Sequence, residues 1–355
     1  MMPDEPAVTI DNRARAVLRG LIREYVCCGQ PVGSRRLAKV YPEKLSPATL
    51  RNVMADLEEA GFLEQPHVSA GRVPTPAGYR FYVNSLMRRR QLSQEELGTI
   101  RQALEQERDP EALMDRTSRL LASQTNSIGI VLAPSLSKSV LWHIEFLRLA
   151  RDRLLVILVS QSGLVQHRLV TVPETPPQAE LDEASRYLIE HFRGLTLLEI
   201  RTRLQQMMRQ DQTTYDRLLR NVVLLGTTTL PDELLEKEDP TQIYVDGASR
   251  VAQRLDDPDI YRLASILQTL EEKRRILEIL SYCLQSEGKE PFVTIGLEKC
   301  VPEMNQWTVI VARFQSEQGN QGAIGVLGPA RMEYDRTISL VDYVAQTVNS
   351  LMGRN

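Results

Sequence analysis

Apolar positions in the first ninety residues fall into short helical blocks separated by Gly and Pro. Ala14, Val17, Leu18, Leu21, Ile22 and Tyr25 recur at helical spacing behind a capping Asn12, and Gly29-Gln30-Pro31 ends the run. Gly33-Ser34 opens a short second helix, Arg35 to Val40, with Leu37 and Ala38 inward; Pro42 closes it by disfavouring helix at Tyr41. Ser46-Pro47 opens a third, with the serine oxygen as cap and proline at the first helical position, where a missing N–H costs nothing. Leu50, Val53, Met54 and Leu57 form its buried stripe, and Gly61 ends it. Phe62 to Val68 and Val73 to Thr75, joined through Ser69-Ala70-Gly71-Arg72, read as a β-hairpin. Thr75-Pro76 starts a fourth helix carrying Tyr79, Phe81, Tyr82, Val83 and Leu86, and Arg88-Arg89-Arg90 closes the unit. Three helices, a hairpin and a helix make the order of a winged helix-turn-helix.

Beyond it the pattern changes. Leu92 to Glu107 is polar and helical, broken by Asp109-Pro110 before a second amphipathic stretch through Leu121, and the pair reads as a linker. Ile128 to Leu132 is a strand. His143 to Leu149, Leu154 to Ser160 and Val165 to Val172, with short turns between them, predict an antiparallel meander. Helical patterns follow at Ala179 to Phe192 and Leu197 to Leu225, then a strand at Ile243 to Val245 and helix from Pro258 to Cys283. Strands at Phe292 to Leu297, Trp307 to Phe314 and Ala323 to Leu327 precede a last helix, Ile338 to Met352, whose narrow stripe (Leu340 or Val341, then Val344, Val348 and Leu351) suits an interface. The class is α+β and multidomain: 1–90 the DNA-binding module, 91–137 linker helices and the start of the body, 138–238 a self-contained insert, and 239–355 the rest of the body with the C-terminal helix.

Charge sharpens this division. The net charge of −3 argues against nucleic acid, but residues 1–90 hold 14 Lys and Arg against 9 Asp and Glu, leaving 29 against 37 of the totals, 43 and 46, for the remainder. A module of net +5 on a body of net −8 attracts phosphate through one surface only. The longest apolar run, Leu154 to Val159, is far short of the roughly 20 residues of a membrane helix. The charged, proline-bearing N-terminus does not read as a secretory signal, and four cysteines without a C-x-x-C pair read as free thiols, so a cytoplasmic protein is expected.

Candidate chemistry concentrates on the third helix. Opposite its buried stripe lie Ala48, Arg51, Asn52 and Ala55, with Ser46 and Thr49 at its entry. Arginine matches the O6 and N7 of guanine, asparagine the N6 and N7 of adenine, and alanine allows close approach to thymine methyls. On a lone helix such residues are usually a solvated face; third in a winged module they are a recognition surface. His67, Ser69, Gly71 and Arg72 in the hairpin suit phosphate or minor-groove contact, and Arg35 and Arg36 at the start of the second helix suit backbone positioning. No catalytic constellation, metal-ligand spacing or cofactor fingerprint occurs. Gly319, Gly322, Gly325 and Gly328 read as turn glycines around a strand, and His143, His167 and His191 as structural. A non-enzymatic regulator without cofactor follows.

The run Ser46-Pro47-Ala48-Thr49-Leu50-Arg51-Asn52-Val53-Met54-Ala55-Asp56-Leu57-Glu58, then Gln65 to Thr75, Gly78 to Val83 and Gly325 to Tyr334, resembles the HrcA family of bacterial heat-inducible repressors. The resemblance implies a winged helix, a GAF-like domain and a dimerisation domain inserted into it. It further implies a homodimer on double-stranded DNA, at an inverted-repeat (CIRCE) operator of chaperone operons of the groE and dnaK type, kept active by the GroE chaperonin. Ile295 to Lys299 and Tyr244 to Ala248 depart from the family's usual pattern. The alternative is a metabolite-sensing winged-helix repressor with its ligand in the GAF-like domain.

Overall fold

The computed structural model describes residues 10–40, 45–67, 70–107, 109–133, 140–161, 165–173, 175–210, 243–252, 273–284, 291–315 and 321–352. The fold is mixed α+β. Helix α1 (Asn12–Cys28) is capped one residue earlier than expected: Asp11, not Asn12, accepts from the backbone N–H of Ala14 at 2.6 Å, and a carboxylate there also answers the helix dipole. At its other end Gly29 takes φ 71°, the left-handed conformation that favours glycine. Helices α2 (Ser34–Val40) and α3 (Pro47–Glu59) pack on α1 through Val17, Leu18, Leu21, Leu37, Leu50 and Leu57, all essentially buried. Strands β1 (Leu63–Glu64) and β2 (Val73–Pro74) form a two-residue antiparallel ladder, and α4 (Pro76–Phe81) continues as a π-helical turn over Tyr82–Leu86.

The body is built on a five-stranded antiparallel sheet. β3 (Ile128–Leu132), β7 (Ile243–Asp246), β8 (Phe292–Ile295), β9 (Trp307–Gln315) and β10 (Gln321–Pro329) lie in the order β7-β3-β10-β9-β8. Antiparallel sheets usually leave one face to water, but here both are covered, which explains the unbroken apolar run through β9. Ile310, Ala312 and Phe314 face the helices α5 (Gln94–Glu105), α6 (Pro110–Thr125) and α11 (Tyr334–Met352), whereas Val309 and Val311 face α9 (Ala248–Ala252) and α10 (Lys273–Leu284).

Several expectations change. The stretch read as a linker is part of the body core: Ile100, Leu104, Leu113, Met114 and Leu121 are buried, and their spacing gives each helix one apolar stripe under a polar outer face. The stripe of α11, read as an interface, is buried within the chain against this sheet. Gly322, Gly325 and Gly328 stand inside β10 rather than at turns, and close approach of the neighbouring strand requires glycine there, since a Cβ at Gly325 would lie 2.5 Å from the Ile310 carbonyl oxygen. Gly319, the helical stretch expected beyond residue 210 and the start of the helix expected from Pro258 lie outside the described residues.

Between β3 and β7 the chain builds a separate unit. β4 (Leu141–Arg148), β5 (Arg153–Ser160) and β6 (Val165–Thr171) form the expected antiparallel meander. Helices α7 (Gln178–Phe192) and α8 (Leu197–Gln210) cover one face, with a core of its own that includes Ile144, Phe146, Leu154, Val156, Leu181, Leu188 and Leu204. Because Leu132 pairs with Ile243, this excursion leaves and returns at one end of the larger sheet without disturbing its order. His143 and His167 lie on its exposed face, whereas His191 stacks on Tyr187 at 4.0 Å.

Candidate nucleic-acid interface

Helix α3 is set by its cap. Ser46 Oγ accepts from the Thr49 backbone N–H at 3.1 Å and lies 2.9 Å from Thr49 Oγ1, so both hydroxyls serve the helix start. With Leu50, Met54 and Leu57 buried, rotation about the helix axis is fixed. Ala48, Arg51, Asn52 and Ala55 are then all exposed along one side. No described residue pairs with the Arg51 guanidinium, and the flanking alanines leave the backbone accessible to a groove. Arg35 is likewise exposed without a partner among the described residues, whereas Arg36 is tied to Glu24 of α1 by an ion pair and hydrogen bond. Its expected use as a free backbone contact is therefore weakened by a carboxylate already in place.

The hairpin differs from its expected form. Ser69 lies outside the described residues; His67 is exposed beside it, and the loop is closed by Ala70 N–H to His67 O at 2.8 Å and by Gln65 Nε2 to Ala70 O at 3.0 Å. Gly71 and Arg72 belong to the base rather than the tip. Arg72 exchanges both backbone hydrogen bonds with Val32, at 2.9 and 3.0 Å, adding the turn before α2 to the ladder. A Cβ at Gly71 would lie 2.4 Å from the Val32 carbonyl carbon, so glycine is required by this close approach. Arg72 Nε sits 2.8 Å from Glu58 Oε2 in an ion pair without hydrogen-bond alignment, linking the hairpin to the end of α3.

Arg72 is thus a clasp between the hairpin and α3, and sequence spacing gave no signal for Glu58 as its partner. The clasp has a testable signature. A clasp predicts that Arg72→Ala and Glu58→Ala weaken DNA binding alike and that the double variant is no worse, whereas a phosphate contact predicts stronger binding once Glu58 is removed. A double-mutant cycle on one DNA fragment reads the difference.

The module is seated on the body. Arg80 Nη1 donates to the Ile295 carbonyl at 2.9 Å, Tyr79 lies 5.8 Å from Tyr334 between ring centroids, and the Arg90 N–H donates to Asp335 O at 3.2 Å. Arg336 of α11 binds Glu96 Oε1 at 3.0 Å and Gln124 O at 2.7 Å, joining α11 to α5 and α6. Among the described residues no group of acidic, His and Cys side chains could hold a metal ion, and no helix is long and apolar enough to cross a membrane.

Comparison with known proteins places this arrangement. Residues 111–338 match the family described as HrcA protein C terminal domain. The heat-inducible transcription repressor HrcA of Geobacter sulfurreducens is 39% identical over 344 residues, covering 97% of this chain and 98% of the relative. That of Syntrophobacter fumaroxidans is 36% identical, with 97% of each chain covered. A crystal structure of a hypothetical protein at 2.2 Å resolution shares the fold, with a TM-score of 0.60 at 22% identity over 97% of this chain and 98% of that one. The chain belongs to the HrcA family of heat-inducible transcription repressors.

Proposed function

We propose that the N-terminal module is a winged helix-turn-helix that reads an inverted-repeat operator of heat-shock chaperone genes through α3, that the five-stranded body is GAF-like, and that the unit between β3 and β7 is an inserted dimerisation domain. The observation that carries the reading is the exposed face of α3, where Ala48, Arg51, Asn52 and Ala55 stand together on a module of net positive charge. Ser46, Thr49 and Arg35 flank this face, while Gly71 and Arg72 set the wing beside it. Sequencing the DNA fragments retained by the full-length protein from a random pool tests it: enrichment of a two-fold symmetric sequence is expected, and retention without sequence preference would defeat it.

A dimer is supported by the meander's uncovered face. Leu155, Ile157 and Val159 of β5 stand opposite the side covered by α7, and their partners Leu169 and Val165 are 62% and 52% exposed. A face that mixes these apolar side chains with exposed His143, Glu145 and His167 suits an interface, and two-fold symmetry matches two half-sites. The double variant Leu155→Asp/Leu169→Asp, whose side chains lie away from the core, is expected to sediment as a folded monomer and to lose symmetric operator binding. An unchanged dimer would place the interface elsewhere.

The same face connects to the proposed chaperonin dependence. Leu154 to Val159 is an uninterrupted apolar strand that binds non-specifically if exposed before assembly, and a domain inserted between β3 and β7 demands non-local pairing. Operator binding by freshly refolded protein is therefore expected to rise with the GroE chaperonin and ATP and to fall at heat-shock temperature. An equal active fraction in all four conditions would refute chaperonin control.

A further inference from the structure

The positive charge of the N-terminal module is not on the face that α3 exposes. Helix α3 carries one cation, Arg51, against Asp56, Glu58 and Glu59, and is net negative by itself. Helix α1 carries Arg13, Arg15, Arg19 and Arg23 against Glu24 alone. Glu24 is taken by Arg36 of α2, and Asp11, ahead of the helix, is occupied by the cap at Ala14.

Three of these arginines form a row. Arg15, Arg19 and Arg23 follow one another at intervals of four, all exposed, and no described residue forms an ion pair with them. On the helical wheel the row centres roughly 130° from the stripe Val17, Leu18, Leu21 and Ile22, which faces the module core. Because α3 lies across that core, the row and the reading face of α3 look away from each other, roughly two helix diameters apart. Exposed arginines elsewhere in the chain are neutralised at the same spacing: Arg101 binds Glu105 and Arg119 binds Asp115, each four residues away. Like charges at that spacing repel and destabilise a helix, a cost that a bound polyanion removes. At the inner end Arg23 shares a cavity with Arg90, Glu333 and Asp335, two cations against two carboxylates, so Arg15 and Arg19 supply the uncompensated charge.

We propose that the outer face of α1 is a second, sequence-independent surface for duplex DNA, which holds a separate DNA segment while α3 holds its operator. It rests on the α3 reading for what lies on the opposite face. The row spans about 12 Å, along which B-DNA presents about seven phosphate charges. Contacts to phosphates attract and position a duplex without reading its bases. A duplex is the occupant because α3 ties the protein to one long polyanion, whose other segments are then at high effective concentration. One straight duplex cannot touch both faces, so the row takes a separate segment.

Beads carrying a duplex with the complete symmetric site, saturated with full-length protein and washed, are offered a labelled non-operator duplex. The complete site occupies both α3 helices of a dimer, so capture reports another surface. Capture is expected from the wild type and from Arg15→Lys/Arg19→Lys/Arg23→Lys, and a fall of at least about tenfold is expected for Arg15→Gln/Arg19→Gln/Arg23→Gln. Glutamine and lysine match arginine in helix propensity, so circular dichroism, melting temperature and operator affinity should stay near wild type in both variants. No capture by the wild type, or equal capture by the glutamine variant, would overturn the second surface. An equal loss of operator affinity in the glutamine variant would place the row in the operator interface and overturn it as well. If that variant instead lowers the oligomeric state of DNA-free protein, the acidic body of a second copy occupies the row and the DNA partner is overturned. Failure of the α3 reading is detected separately, by the selection from random DNA, and capture is then scored on beads carrying any duplex.

Discussion

Arg51→Ala and Asn52→Ala are each expected to lose roughly 1–3 kcal/mol of operator binding, about 5- to 150-fold, while binding to random DNA stays within a few-fold. The asymmetry follows from the kind of contact. Each side chain presents paired hydrogen-bonding groups from an exposed, otherwise unengaged helix face, and such contacts discriminate bases rather than supply the general phosphate attraction. Both residues are four or more positions from the Ser46 cap and lie off the Leu50, Met54 and Leu57 stripe, so truncation leaves the helix formed. Alanine even favours it slightly over asparagine. Electrophoretic mobility or anisotropy titrations on operator and scrambled duplex at one salt concentration give the ratio. Equal losses on both duplexes would reassign α3 to phosphate positioning and move base reading elsewhere.

The legibility of α3 in the sequence has a physical basis. A serine cap, a proline at the first turn and a 3.6-residue apolar stripe determine a helix and its rotation locally, so the outward face follows by subtraction. Meander and body strands were legible for a similar reason, since β5 and β9 are dense in β-branched residues and bounded by turns. What escaped depends on pairs distant in sequence. Arg72 meets Val32 and Glu58 only after the hairpin folds back on α1 and α3, and neither spacing nor charge along the chain marks that meeting. The helices read as a linker were misjudged because their polar faces dominate composition, while their buried stripes are matched by α11, more than two hundred residues away. The contact between Tyr79 and Tyr334 spans a similar interval and was equally hidden.

Two glycines on neighbouring helices and strands should respond to alanine or valine with opposite signs. Gly98 lies in the middle of α5 on its exposed side, with nothing within 4 Å of the place a Cβ would take, so Gly98→Ala should stabilise by about 0.5–1 kcal/mol through loss of unfolded-state freedom. Gly129 in β3 is the reverse case. A Cβ there would fall 2.0 Å from the Ser118 carbonyl oxygen and 3.0 Å from the Ala122 nitrogen, both backbone atoms of α6. No rotamer change relieves that overlap, so α6 must move away from the sheet and loosen the packing of Leu121 and Val131. Overpacking of cores costs about 1–3 kcal/mol and more where backbone must shift, so Gly129→Val is expected at or above the upper end, a large part of the roughly 5–15 kcal/mol that holds a domain together. The displacement also reaches the seam between module and body, because Gln124, which receives Arg336, and Asn126, which lines the cavity there, stand at the end of the same helix. Gly129→Val should therefore release the operator at a lower temperature than the parent, while Gly98→Ala should hold it to a higher one. Paired melting curves and operator-binding curves against temperature check both, and a Gly129→Val protein that melts with the parent would show that α6 is not pressed against β3 as tightly as this packing requires.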